Sequence, residues 1–351
     1  MKTPRKRRIL FTCDETPGTT SSYRLRSLTR LGQEVLPFNF QSYVPEGRIL
    51  RSLQFRLPMG PMIRRINNDL LRAVEEFRPD VVLFDRPTQF TRDTIEKIRR
   101  RGALTVSYNQ DGPFGPLRHR GWYQFHKVFR LFDLHCLFRQ ADVVRYSSWG
   151  LRFIKVLFSY ENSVHFPPPP TFTDAMRTRE VSYIGSPYEE RPKFLLALAE
   201  QHQLPVSLDG TWKPVLTPEQ MRKYVRYGPI LGDSYRQQIW QSKINLSFVT
   251  RFHEDDISHK SIEIAACQSF LLALRTPGHE ACFEEDKEAV FFSDLEECAD
   301  KCRFYLRKPE LREEIARRGR ERAVRSGYDN DTQLARILNY IDGGQDGDSP
   351  I

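Results

Sequence analysis

The chain has 351 residues, about twice the usual single-domain size, so two domains are expected. With 39% hydrophobic and 28% charged residues it can fill two cores, and no apolar run approaches the ~18 residues of a membrane span, which excludes an integral membrane protein. The net charge of +9 is uneven: residues 1–170 carry 29 Lys and Arg against 15 Asp and Glu, the rest 25 against 30. A basic first half fits an acidic partner, whether nucleic acid, an anionic membrane face or a phosphate-bearing substrate.

In chain order, residues 8–13 read as a buried strand and residues 23–31 as a helix stopped by Gly32. The basic start runs straight into that strand with no signal-peptide apolar region, so a cytoplasmic chain is expected. A second strand covers 34–38. Apolar positions Met62, Ile63, Ile66, Leu70, Leu71, Val74 and Phe77 predict an amphipathic helix from 61 to 77. Strand 81–84, a helix ending at Gly102 and strand 104–108 follow, then an aromatic and basic segment and a predicted strand at 141–146. This alternation is that of a doubly wound parallel α/β sheet. The prolines at 167–170 form a stiff extended connector and set the expected domain boundary.

Alternation then restarts. Strands are predicted at 181–184, 206–208, 244–248, 270–274 and 289–292, and helices at 193–201, 235–240 and 261–267. Ser293 to Glu296 reads as a capping box opening a helix towards Leu306, with two more helices after Pro309 and Asn330. The expected domains are 1–168 and 169–328, with a helix at 329–342 packing back towards the first domain and a disordered tail at 343–351. The six cysteines (Cys13, Cys136, Cys267, Cys282, Cys298 and Cys302) form no Cys-x-x-Cys pair and are expected as buried thiols, with no metal site.

Two segments have the residue types for chemistry. The loop after the first strand, with Asp14, Gly18 and Thr19, leads directly into a helix, and ligands of open α/β sheets bind at such strand ends. It contains no G-x-G-x-x-G, and no phosphate-loop lysine motif occurs anywhere. In the second half, the polar loop 251–256 precedes Lys260 and Glu263, three apart on one predicted helix face. They are either an intrahelical ion pair or a phosphate-binding cation beside a carboxylate that accepts a ribose diol.

The stretch from Lys260 through Glu263 to Leu272, with Pro277-Gly-His-Glu280, Lys287-Glu288 and Ser293 to Glu297, resembles the carboxy-terminal domain of GT-B glycosyltransferases, nearest to the spore-maturation CgeB-like group. Tyr183-Ile-Gly-Ser-Pro-Tyr-Glu-Glu-Arg191, Leu208 to Trp212, Tyr227-Gly228, Ser242 to Leu246 and Glu313 to Arg322 add to the resemblance. Looser similarity covers Gly18 to Leu25, Leu31 to Val35 and Asn109 to Gly112. Gln268 stands where the group has glycine, and Asp255, beside Glu254 and Asp256, where the wider family often has a second glutamate.

The resemblance implies two Rossmann-like domains facing across a cleft, and metal-independent, cofactor-free transfer of a sugar from a nucleotide-diphosphate donor to an acceptor hydroxyl. It assigns Arg191 and Lys260 to the diphosphate, Glu263 to the ribose, Trp212, Tyr227 and Gly228 to the base, and Gly278, His279 and Glu280 to the donor sugar. Gly18 and Thr19 belong to the first-domain loop, and Asp111 or Asp14 would be the general base if configuration inverts. The acceptor would be a glycan, a lipid-linked molecule or a protein, in surface polysaccharide or glycoconjugate synthesis. Arginines interleaved with apolar residues at 48–65 and 118–139 suit either peripheral contact with the inner face of an anionic membrane or a solvated face over core aromatics. A catalytically silent sugar-nucleotide-binding or assembly protein is the alternative. A nucleic-acid-binding protein is disfavoured, because no nucleic-acid-binding motif accompanies the charge.

Overall fold

The computed structural model describes residues 4–44, 47, 58–115 and 120–343. The described chain forms two compact units. The first comprises residues up to 157, the segment 251–255 and the stretch from 330; the second comprises 158–250 and 256–329. Arginines 48, 51 and 56 of the first basic segment, Arg118 of the second, and all but Gly343 of the tail lie outside the described residues.

The first unit is built on a six-stranded parallel sheet. Its strands are β1 (Arg8–Cys13), β2 (Glu34–Asn39), β3 (Val81–Asp85), β4 (Leu104–Tyr108), β5 (Leu134–Leu137) and β6 (Phe153–Lys155), in the order β2-β1-β3-β4-β5-β6. Ile9, Leu10, Phe11 and Cys13 of β1 are all fully buried, as a parallel strand covered on both faces requires. The predicted helix Pro61–Phe77 forms with those bounds, started by Pro61 and burying Ile63, Ile66, Leu70 and Val74. The last helix, Asn330–Ile341, packs on the helix Thr20–Arg30, where Arg30 pairs with Asp331 at 2.7 Å.

One expectation changes here. Residues 141–146 lie in a helix, Gln140–Ser148, not a strand. The β-branched pair Val143-Val144 gave the strand signal, but Val144 is 61% exposed and Asp142 pairs with Arg145 one turn on. The strands of this region are β5 and β6 instead. Of the two readings of 118–139, the aromatic positions fit core packing: Trp122, Phe125, Phe132 and Phe138 are buried, and Phe114 meets Phe125 at a tilt and Phe129 edge-on. These rings are core and do not form a membrane-facing stripe. No helix among the described residues is long and apolar enough to cross a membrane.

The second unit holds a second six-stranded parallel sheet. Its strands are β7 (Arg179–Ile184), β8 (Val206–Asp209), β9 (Val225–Tyr227), β10 (Ser242–Ser247), β11 (Leu271–Leu274) and β12 (Val290–Phe292), in the order β12-β11-β10-β7-β8-β9. The chain winds outward from β7 to one side, then returns to start the other side at β10. That reversal makes the carboxyl ends of β7 and β10 a topological switch point. The core gathers Val181, Tyr183, Leu208, Ile244, Leu246 and Phe292 under Leu195, Leu198, Cys298, Cys302 and Ile315. All six cysteines are buried, and no disulfide joins them. Edge strand β9 has only its first residue half-buried, and carries no apolar pattern that the sequence could reveal. The prolines at 167–170 lie within this unit, outside helix and strand.

Candidate functional site

At the carboxyl end of β7 the backbone turns through Gly185 into the helix Arg191–Glu200. A Cβ on Gly185 would come within 2.7 Å of the Tyr183 hydroxyl and 3.3 Å of Lys260 Nζ, and one on Gly210 within 2.3 Å of the Gly185 carbonyl oxygen. Both glycines are needed because backbone and cation converge there. Arg191 opens the helix, is 8% exposed, and is aimed by three bonds. Nη1 donates to Tyr183 Oη at 2.9 Å, and Nη2 donates to the Val249 carbonyl and to Thr250 Oγ1, each at 2.9 Å. Its Nε is buried without a partner.

Lys260 and Glu263 project from the helix His259–Ala266, whose start is capped by Ser258 accepting from the Ser261 N–H. Lys260 is half-buried, its Nζ 5.8 Å from the Tyr183 ring centre and 5.9 Å from that of Tyr235. Burial, reinforced by Arg191 and opposed by Glu263, pulls its ammonium down to about 8. Neither cation has a carboxylate ion-pair partner among the described residues, Glu263 included. Glu263 itself is 8% exposed. Burial pushes its carboxyl up, but the charges of His165, His259 and Lys260 and a hydrogen bond from Tyr235 outweigh this and hold it low. The arrangement thus offers two unneutralised cations and an ionised carboxylate at a strand-end switch point, which can receive a diphosphate and a diol.

Residues 189–339 match the family described as Glycosyl transferase-like. Among solved structures, sucrose-phosphate synthase from Thermosynechococcus elongatus superposes with a TM-score of 0.67 at 10% identity, over 97% of this chain and 100% of that one. Anabaena HepE in complex with UDP-glucose gives 0.65 at 13%, over 96% and 100%. A glycosyltransferase from Rickettsia africae gives 0.63 at 10%, over 97% and 98%. The fold is GT-B. No curated protein matches the chain in sequence.

In this GT-B chain several residues read from the sequence take other roles. Trp212 is fully buried against Tyr183, and its indole N–H donates to the Asp209 carbonyl. It has no free face for a base, and core packing explains it. Tyr227 is 52% exposed, its N–H held by Asp209 Oδ1 at 3.0 Å and its ring 5.5 Å from the Arg179 guanidinium. Gly228 beside it is open to solvent. His279 is fully buried. Thr276 Oγ1 spends its one proton on the Asp256 carbonyl, so it accepts from His279 Nδ1–H at 2.9 Å, and Nε2 accepts from Ser261 Oγ at 2.7 Å. Burial holds this imidazole down at about 4. It is a strut between two helix starts with no nitrogen left for a sugar. Gly278 presses on the Asp256 backbone, where a Cβ would meet the carbonyl oxygen at 2.4 Å. Glu280 is exposed and pairs with Arg275 at 3.2 Å.

In the first unit, Asp14 and Asp111 stand at the same carboxyl edge, after β1 and β4. Asp14 Oδ1 accepts from the Thr16 N–H at 2.9 Å, and Thr19 caps the following helix, with Gly18 at φ 89° shaping the turn. Asp111 pairs with Arg86 at 2.9 Å, and the neighbouring Gly112 N–H donates to His253 Nδ1 at 3.3 Å. Two carboxylates of the acidic loop are neutralised within this unit: Asp255 pairs with buried Arg139 at 2.6 Å, and Glu254 with Arg145 at 2.7 Å. Sequence reasoning missed Tyr235, His165 and Asp209, which reach the site from distant segments and leave no local spacing signal.

Proposed function

We propose that the chain is a glycosyltransferase that moves a sugar from a nucleoside-diphosphate donor to an acceptor hydroxyl, with the donor held by the second unit. The observation that carries this reading is the pair Arg191 and Lys260, convergent cations with no carboxylate partner among the described residues. The bond between the anomeric carbon and the diphosphate oxygen breaks, and the acceptor oxygen bonds to that carbon. The departing diphosphate gains negative charge, which fixed cations stabilise best in the transition state. Arg191 offers a rigid fork and Lys260 a point charge. Glu263 accepts the ribose hydroxyls, Tyr227 and Gly228 flank the base, and Glu280 beside Gly278 reaches the donor sugar. If configuration inverts, Asp111 or Asp14 takes the acceptor proton. No metal is required in this scheme, so chelation is expected to leave turnover unchanged.

A solved structure of similar fold contains UDP-glucose, which puts UDP sugars first among donors to test. The CgeB-like grouping, and surface polysaccharide or glycoconjugate synthesis on a glycan, lipid-linked or protein acceptor, rest on the sequence resemblance, whereas a cytoplasmic place at the inner membrane face rests on the basic first half and its start. A second reading, a silent sugar-nucleotide-binding protein, is favoured by one observation: Glu254 and Asp255 are spent on arginines. Release of diphosphate from a panel of nucleotide sugars separates the two. Turnover that disappears in Glu263→Ala supports the enzyme, whereas tight nucleotide binding without turnover supports the silent protein. A chain that binds no nucleoside diphosphate refutes both.

A further inference from the structure

Lys260 and Glu263 are oppositely charged, three residues apart on one helix, and yet form no ion pair. That spacing ordinarily lets such side chains meet, so something holds the carboxylate elsewhere. Tyr235, from the helix Gly232–Trp240, donates its hydroxyl to Glu263 Oε2 at 2.8 Å. His165 brings Nε2 to 3.7 Å from Oε1 on the same carboxylate. The Glu161 N–H donates to His165 Nδ1 at 3.1 Å, so the neutral ring carries its proton on Nε2, facing Glu263. The Tyr235 ring also lies 5.9 Å from the Lys260 ammonium. One tyrosine therefore touches both functional groups.

The geometry points to Tyr235 as a positioning residue, supported by His165, that turns Glu263 away from Lys260 and presents it to a vicinal diol, making the site selective for ribose over deoxyribose. This rests on the donor-site reading above. A carboxylate has about four lone-pair directions. Tyr235 fills one on Oε2, while His165, too distant for a full hydrogen bond, biases Oε1 without consuming it. Acceptor capacity remains on both oxygens for two hydroxyls. Without the Tyr235 hydroxyl, the broad terminal torsion of glutamate lets the carboxylate swing to Lys260. That swing removes the diol acceptor and neutralises a phosphate-binding cation together.

The test is calorimetric binding of UDP, ADP, GDP and CDP, each against its 2′-deoxy counterpart, to the full chain. Wild type is expected to prefer the ribonucleotide by about tenfold or more, as loss of a hydrogen bond to a charged group implies. Tyr235→Phe keeps the ring beside Lys260 and should bring that ratio close to unity. Tyr305→Phe, which removes another tyrosine hydroxyl donated to a carboxylate, Asp286 Oδ1, should keep the wild-type ratio. His165→Gln should lower the ratio from the other side of the carboxylate, and it carries the test if Tyr235→Phe does not fold. Equal weakening of both nucleotides, with the ratio intact, reduces Tyr235 to packing and overturns the proposal. A wild type that binds diphosphates without preferring ribose overturns it while sparing the donor-site reading, and one that binds none overturns both.

Discussion

With its ammonium drawn down to about 8, Lys260 loses its charge just above neutral pH. The folded value lies below the ordinary 10.5, so holding the proton costs stability, and the cost is relieved as pH rises through about 8. A bound diphosphate reverses this preference, because it favours the charged lysine. Affinity for a nucleoside diphosphate should therefore fall as pH rises through that value. Lys260→Ala should bind about tenfold or more weakly at neutral pH and lack the alkaline decline. Titration calorimetry of both proteins across that pH range checks this, and parallel curves would remove Lys260 from the diphosphate.

At the scale of the element, the helix carrying Lys260 and Glu263 ends where Gln268 takes φ 50°, its N–H bonded to the Ala265 carbonyl at 2.9 Å. This left-handed position past a helix end favours glycine. Gln268 is thus a strained residue at a helix end, where a glycine would serve termination. Gln268→Gly should stabilise the chain by about 1 kcal/mol in denaturant unfolding and leave nucleotide affinity unchanged; a change in affinity without one in stability would contradict that account. At the helix start, burial keeps His279 neutral. Its folded value, about 4, lies below the ordinary 6.5, so the unfolded chain takes up the proton first. Stability should fall as pH drops from about 6.5 towards 4, by up to about 3 kcal/mol from this group. Acid unfolding compared with His279→Gln reads that contribution, and an identical slope in the variant would exclude it. The sequence already showed Lys260 and Glu263 on one face, because three-residue spacing is a local signal. It also gave the helix Pro61–Phe77, whose apolar period is unbroken. What it could not show is burial: whether His279 or Trp212 faces a ligand or a core depends on strands far along the chain. The helix Leu295–Leu306 also starts one residue later than a capping box at Ser293 predicts, since Asp294 accepts from the Glu297 N–H and caps it.

Across the whole molecule, the parallel sheets were legible because buried strands are continuous apolar runs, but the chain's last return to its first unit is carried by the helix Asn330–Ile341. Leu334, Ile337 and Leu338 of Asn330–Ile341 are buried, and they lie against Ile9, Leu28 and Val81 of the first unit. Burying each such side chain stabilises by roughly 1.5–3 kcal/mol, so the helix contributes about 5 kcal/mol or more, comparable with the whole stability of a small domain. A stop codon at Asn330 also removes the Asp331 partner of Arg30. That chain should bind a hydrophobic dye and lose the near-ultraviolet signal of the rings around Phe114, while the second unit keeps its own melting transition. Leu338→Asp should do the same without shortening the chain, because it buries a charge in that contact. If the shortened chain melts like the intact one, the first sheet is self-sufficient and the final helix adds nothing to its stability.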